Sequence, residues 1–207
     1  DCPPGDLLAG GALCPSDSYV MNADGSGIRQ LTNDGEPDFG PVWSPDGSRL
    51  AFTRQGPGDG LAATVDVMNA DGSGFSEVAA TPQGSDFRPS WSPDGSSLVY
   101  ASIRNEDWGI YVTDLTTGAE RGLVEGAHAS VEDPVWSPDG TQIAYSSGYI
   151  DLMIMNEDGS DSHRVAHDPN EVGIDGIAWR AGQVVGPSVE PEVHDVRLGS
   201  TTTLAIT

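Results

Sequence analysis

Four acidic residues recur at related places along the chain: Asp38 and Asp86 five residues before a tryptophan, Asp133 three before and Asp175 four before. Carboxylates are hard oxygen ligands, and calcium takes about six to eight oxygens from carboxylates, carbonyls and water. If the strands that carry these residues line one channel, Asp38, Asp86, Asp133 and Asp175 converge near its mouth as a calcium site. The competing reading is that each Asp caps its own turn or bonds nearby backbone amides.

Other chemistry finds less support. His163 and His167 stand four apart, a zinc spacing on a helix. Here they flank Arg164-Val165-Ala166, an outer strand, where four positions span about 13 Å at roughly 3.3 Å per residue. The Asp-Gly pairs at Asp24, Asp46, Asp71, Asp94, Asp139 and Asp158 do not complete a calcium-loop pattern with a distal Glu, and hairpin geometry accounts for them. There is no Gly-x-Ser-x-Gly elbow, no His-Glu-x-x-His and no Cys set beside a His motif, so the chain reads as non-enzymatic. Cys2 and Cys14 are the only cysteines and match no zinc spacing. A disulfide between them would close a small loop, contribute at most about 2–4 kcal/mol and place the protein outside the cytoplasm; two free buried thiols are the alternative.

The elements that hold these residues come from a repeat. Trp-Ser-Pro-Asp-Gly occurs at 43–47, 91–95 and 136–140, with a degenerate copy at 178–182, so the Trp spacings are 48, 45 and 43. Met-Asn-Ala-Asp-Gly-Ser-Gly at 21–27 and 68–74, and related segments at 112–118 and 155–160, keep the same beat. A period of about 40–45 residues in a strand-rich chain signals propeller blades of four strands each. Residues 18–32 supply only the third and fourth strands of a unit, and 175–186 only the first and second. The expected fold is therefore all-β: a four-bladed propeller closed by pairing the N- and C-terminal half-blades, plus a short C-terminal β tail. Blades fall at about 38–80, 86–124 and 131–166, with a composite one from 175–186 and 18–32. The alternative is an arc of a larger propeller. The repeat tryptophans Trp43, Trp91, Trp136 and Trp179 are expected to pack between blades.

The motif resembles the propeller repeat of the TolB-like family, also found in the non-catalytic domains of prolyl oligopeptidase and tricorn-type peptidases. Gln30-Leu31-Thr32-Asn33-Asp34-Gly35 and then Asp38-Phe39-Gly40-Pro41-Val42-Trp43-Ser44-Pro45-Asp46-Gly47 carry the likeness most closely. The resemblance covers residues 18–186 and implies the fold; the relatives usually have six or more blades. It implies binding, scaffolding or catalysis alike, since one fold hosts many functions. In propeller lyases of pectin fragments channel histidines hold a catalytic metal, but His128, His163, His167 and His194 do not recur in repeat phase.

Charge and the two ends complete the picture. The chain has 32 acidic residues against 9 basic ones, all of them Arg, for a net charge of −23. Nucleic acid and anionic membrane are excluded as partners by repulsion, and no apolar run reaches membrane-spanning length. Divalent cations such as calcium, high external salt or simple tolerance are the candidates for handling this charge. The first residue is Asp1, as in a mature product whose leader has been removed. Residues 1–17 form an arm, and 187–207 a linker and tail. Within the tail, Val193, Val196, Leu198, Leu204 and Ile206 give apolar faces to two strands that cannot bury them alone. Three readings stay open: the opening of a fibronectin-type module, strand addition to a neighbouring subunit, or docking on the chain's own propeller. The function expected is a secreted, calcium-stabilised interaction module that assembles through its tail. A periplasmic TolB-like accessory protein that binds a protein partner as a monomer is the first alternative, and a channel-metal lyase or hydrolase the second.

Overall fold

The computed structural model describes residues 16–56, 62–79, 81, 84–168, 173–174 and 176–179, and the backbone of 204–206. The described residues form strands and turns with no helix. A short hairpin, β1 (Tyr19–Val20) and β2 (Arg29–Gln30), precedes three four-stranded antiparallel sheets. The first sheet contains β3 (Asp38–Trp43), β4 (Arg49–Gln55), β5 (Ala63–Asn69) and β6 (Ser76–Ala79). The second contains β7 (Ser85–Trp91), β8 (Ser97–Arg104), β9 (Asp107–Asp114) and β10 (Glu120–Ala127). The third contains β11 (Val131–Trp136), β12 (Gln142–Ser147), β13 (Asp151–Asn156) and β14 (His163–His167). In each, the spatial order follows the chain order, as in a propeller blade.

Strand alternation builds the layers. On β8, Leu98 and Tyr100 join Ala51, Val65, Val67 and Ala79 of the first blade, whereas Val99 between them joins Val131, Ile143 and Tyr145 of the third. Period-2 patterning thus gives each central strand two buried faces, one for each neighbouring blade. The hydrophobic core is a series of inter-sheet layers and not a single centre.

The Trp-Ser-Pro-Asp-Gly segment works as a turn and as a clamp. Gly47, Gly95 and Gly140 have φ of 69°, 71° and 75°, the left-handed region where a side chain would be strained. The preceding Asp fixes the loop: Asp46 Oδ1 accepts hydrogen bonds from Ser44 Oγ at 2.6 Å, Ser48 N at 3.0 Å and Ser48 Oγ at 2.8 Å. These bonds hold the Asp46 carboxyl at a pKa of about 2, and their equivalents do the same for Asp94. Both pKa values are depressed, so the stabilisation is present above pH ~4 and is lost as pH falls towards 2.

Two of the four repeat Trp residues bond back to the preceding blade. Trp91 Nε1 donates to the carbonyl of Val42 and Trp179 Nε1 to that of Val135, both at 3.1 Å. The Arg49 guanidinium stacks 4.6 Å over the Trp91 ring and donates to Gly95 O at 2.7 Å. Trp136 Nε1 is buried and makes no hydrogen bond. Among the described residues no inner strand covers Trp43, which is 47 % exposed, against 7 % for Trp91.

The two ends depart from the expected composite blade. After the third sheet, β15 (Ile177–Trp179) packs on β11, and its strand partner is β16 (Leu204–Ile206), in parallel, with Ile177 opposite Leu204 and Trp179 opposite Ile206. The β1–β2 hairpin forms a sheet of its own, so no sheet closes on another among the described residues. Among the described residues the two half-blades share no sheet. Of the two tail strands, the one holding Leu204 and Ile206 runs back along the chain's own β15. Val193, Val196 and Leu198 lie outside the described residues, as do Cys2 and Cys14. No helix among the described residues is long and apolar enough to cross a membrane.

Trp91→Ala removes a buried ring that joins two blades, so urea unfolding should show a loss of about 3 kcal/mol, whereas Trp43→Ala should cost under about 1 kcal/mol. Equal losses would mean that the Trp does not clamp the blades.

Candidate functional site

The first strand of every blade is broken by a bulge three residues before its Trp. The pairing register shifts between Phe39 and Val42, between Phe87 and Ser90, and between Glu132 and Val135. The residue at the break is left-handed in each case: Gly40 at φ 57°, Arg88 at 56°, Asp133 at 52° and, on the approach to β15, Gly176 at 78°. Pro41, Pro89 and Pro134 follow directly, and a bulge tolerates a proline because the ladder hydrogen bond is already missing there.

These four positions meet around one cleft. It has a volume of about 420 Å³ and is lined by Phe39, Gly40, Val42, Thr53, Arg88, Pro89, Asp133, Pro134, Val135, Gly176 and Ile177. Its walls are prolines and aliphatic side chains, with Phe39 at 41 % exposure. Its charges are Arg88 and Asp133, which pair through Nη1 and Oδ1, while Arg88 Nη2 lies 3.4 Å from Glu132 Oε2. The Arg88 backbone is held from the other side, where its N–H donates to Thr53 Oγ1 of the first blade at 2.9 Å.

Arg88 and Asp133 occupy a backbone state that favours glycine, and Gly40 and Gly176 fill the same place. A left-handed non-glycine residue costs on the order of 1 kcal/mol, and a partly exposed ion pair returns about 0–1 kcal/mol. An amphiphilic cleft with a few placed charges is the usual form of a binding site.

The aspartates nominated from the sequence have local partners. Asp38 is buried and pairs with Arg54, Nε to Oδ1 at 3.0 Å. Asp86 is fully buried and accepts from Thr81 N at 2.8 Å and Thr81 Oγ1 at 3.0 Å. Asp133 faces Arg88 in the cleft, and Asp175 lies outside the described residues. Among the described residues no group of three or more His, Cys, Asp or Glu side chains is arranged to hold a metal ion. The differing offsets from Trp have a physical meaning: five places back falls before the bulge, on the buried side, whereas three places back is the bulge itself. His163 is exposed with Nδ1 2.8 Å from Asp161 O, His167 Nδ1 sits 2.6 Å from Asp151 Oδ1, and His128 pairs with Asp107 at 3.2 Å. None of these three histidines lines the cleft. Arg88 itself is missed by a reading that counts basic residues only as charge. The signal available was its place, directly before a proline and three residues before a repeat Trp.

A second acidic cluster lies inside the first blade. Asp66, 1 % exposed, accepts from Thr64 Oγ1 at 2.8 Å, and burial raises its carboxyl to a pKa of about 6 against the pull of Thr64 and Arg54. Burial also raises Asp38. Arg54 serves both, and its guanidinium stacks 4.3 Å from the Phe75 ring.

The chain matches no protein-family model. Tol-Pal system protein TolB of Rhizorhabdus wittichii is 45 % identical over 58 residues, which is 28 % of this chain and 12 % of that protein. TolB from Acinetobacter baumannii superposes with a TM-score of 0.58 at 19 % identity, over 72 % of this chain and 37 % of that one. An oligogalacturonate lyase in complex with manganese also gives 0.58, at 26 % identity, over 71 % of this chain and 41 % of that one. The chain thus spans less than half the length of these relatives.

Asp66→Asn tests the buried acid. The folded pKa lies above the unfolded one, so wild-type stability should fall as pH rises from about 4 to 6 and then level off. The variant should lack that slope and gain on the order of 2 kcal/mol at pH 7 with little change at pH 4. Chemical denaturation across pH reads this directly, and a variant destabilised at pH 7 would contradict it. The inter-blade tryptophans, the Asp-Gly clamps and the bulged first strands around a shared cleft, together with these likenesses, identify the sheets as blades of TolB-like β-propeller repeats.

Proposed function

We propose that this chain is an extracytoplasmic protein-interaction module whose binding site is the cleft around Arg88 and Asp133. One observation carries the reading: two charged residues, Arg88 and Asp133, are held in a glycine-favouring backbone state at the rim of an apolar cleft. The likeness to TolB, a component of the Tol-Pal system, supports a protein as the ligand and the periplasm as the compartment. The proline and aliphatic walls suit an extended peptide segment. The Arg88 guanidinium suits a carboxylate on it, because a planar fork of donors matches a carboxylate's two oxygens.

A second reading is favoured by the manganese-bound oligogalacturonate lyase at 26 % identity. Arg88 would then bind a uronate carboxylate. The absence of His128, His163 and His167 from the cleft lining weighs against a histidine-held metal there. Formation of unsaturated product from oligogalacturonate in the presence of manganese would establish this reading, and no turnover would leave the binding module.

Arg88→Gly separates binding from stability. The melting temperature should move by no more than a few degrees, while a protein captured from a periplasmic extract should bind at least tenfold more weakly in calorimetric titration. Unchanged affinity would place the site elsewhere.

A further inference from the structure

The first strands of the sheets stand in order around the cleft, because β3 packs on β7, β7 on β11 and β11 on β15. Their left-handed positions follow that order: Gly40, then Arg88, then Asp133, then Gly176. The two charges are therefore central, and a glycine flanks them on either side. A Cβ added to Gly40 or to Gly176 would meet nothing within 4 Å, so the flanks are open as well as uncharged. Phe39 and Val42 line the cleft beside the first glycine, and Ile177 beside the second. A segment laid along the cleft meets apolar wall, base, acid and apolar wall in turn.

The base is not offered alone. Arg88 Nη1 pairs with Asp133 Oδ1 and Arg88 Nη2 lies 3.4 Å from Glu132 Oε2, so one guanidinium faces two carboxylates. The carboxylates are the better-buried partners, with side chains 15 % exposed for Asp133 and 9 % for Glu132, against 44 % for Arg88. The Arg88 backbone N–H donates to Thr53 Oγ1 at 2.9 Å, which presents the guanidinium from a fixed point.

A carboxylate arriving at Arg88 must share the guanidinium with Asp133 or displace it. Sharing crowds like charges together, and displacement leaves Asp133 a poorly solvated anion without its counter-charge, which is costly. A ligand that carries its own cation removes that cost. Its carboxylate takes Arg88, its cation takes Asp133, and the single ion pair becomes a closed set of four alternating charges.

Resting on the reading of this cleft as a peptide site, we propose that its ligand is an extended segment with an acidic and a basic side chain on one face, between apolar residues. The acid meets Arg88 and the base meets Asp133. Alternate residues are the nearest two on one face of an extended segment, about 6.6 Å apart at roughly 3.3 Å per residue, so acid and base stand at i and i+2. The net charge of −23 acts in the same direction, since it repels a segment that carries acids alone.

Selection of phage-displayed random peptides on the full chain, with counter-selection on Arg88→Gly, tests the proposal. The recovered peptides should carry an acid and a base at alternate positions between apolar residues. Replacing that base by glutamine in a recovered peptide should weaken binding to wild type at least tenfold, the scale expected of a close charge pair. The same replacement should change binding to Asp133→Asn far less, and that variant should fold because asparagine tolerates a left-handed backbone. Recovered peptides that hold acids and no base would overturn the proposal while leaving the cleft a peptide site, as would a glutamine replacement that costs the same on both proteins. Failure to recover any peptide that distinguishes wild type from Arg88→Gly would instead remove the peptide site itself, and this proposal with it.

Discussion

The bond from one blade's indole to the preceding blade's backbone, made by Trp91 and Trp179 and not by Trp136, fixes two of the inter-blade contacts of this molecule. A propeller blade has two apolar faces, and hydrophobic contact alone would let one sheet slide over the next. An indole N–H that must find a carbonyl fixes the offset, because a buried donor without a partner costs about 1–3 kcal/mol. Trp91 and Trp179 meet that demand through Val42 and Val135. The turns stack at both interfaces, with and without an indole bond: a side chain on Gly140 would touch Pro93 Cδ at 3.6 Å, and one on Gly95 would touch Pro45 Cδ at 3.7 Å. Once the turns stack, the bulged first strands line up around the cleft.

Arginine is the matching constraint on the acidic side. All 9 basic residues are Arg, and those described act in recognisable ways. Arg29, Arg49 and Arg121 tie a blade to turn carbonyls of its neighbour. Arg54 and Arg104 stand beside buried Asp38 and Asp86, with Arg104 also paired to Glu120 at 2.7 Å and stacked 3.5 Å from the Tyr111 ring. A guanidinium can do this because it is planar, carries several donors and stacks on rings, whereas an ammonium is a single hydrated point. Arg88 stands apart, since it reaches carboxylates and not carbonyls of the neighbouring blade, at the cleft rim.

How much of this was legible in the sequence depended on whether a feature is carried by side chains or by the backbone. The blades were legible because Trp-Ser-Pro-Asp-Gly names its own turn: Pro sets one φ, Gly accepts another, and the Asp closes the loop. The bulge was not, because Gly40, Arg88, Asp133 and Gly176 share a φ and no side chain. The aspartates were seen as a series, yet equal spacing from Trp did not mean equal facing, since Asp38 lies before the break and Asp133 at it. The N-terminal half-blade was read in the right phase, as the matching contacts of Arg29 and Arg121 show, whereas of the C-terminal one only its first strand, β15, lies among the described residues. Phase cannot tell whether a half-blade is completed within a chain or across two, and among the described residues no inner strand covers Trp43.

The most direct test of this account is hydrogen exchange of the indole N–H groups in a nitrogen-15-labelled sample at low concentration. Trp91 and Trp179 should be protected, because each is bonded across a blade interface, and Trp43 should exchange freely. Slow exchange at Trp43 under these conditions, or rapid exchange at Trp91, would contradict the claim that indole-to-backbone bonds fix two of the inter-blade contacts and leave Trp43 without one.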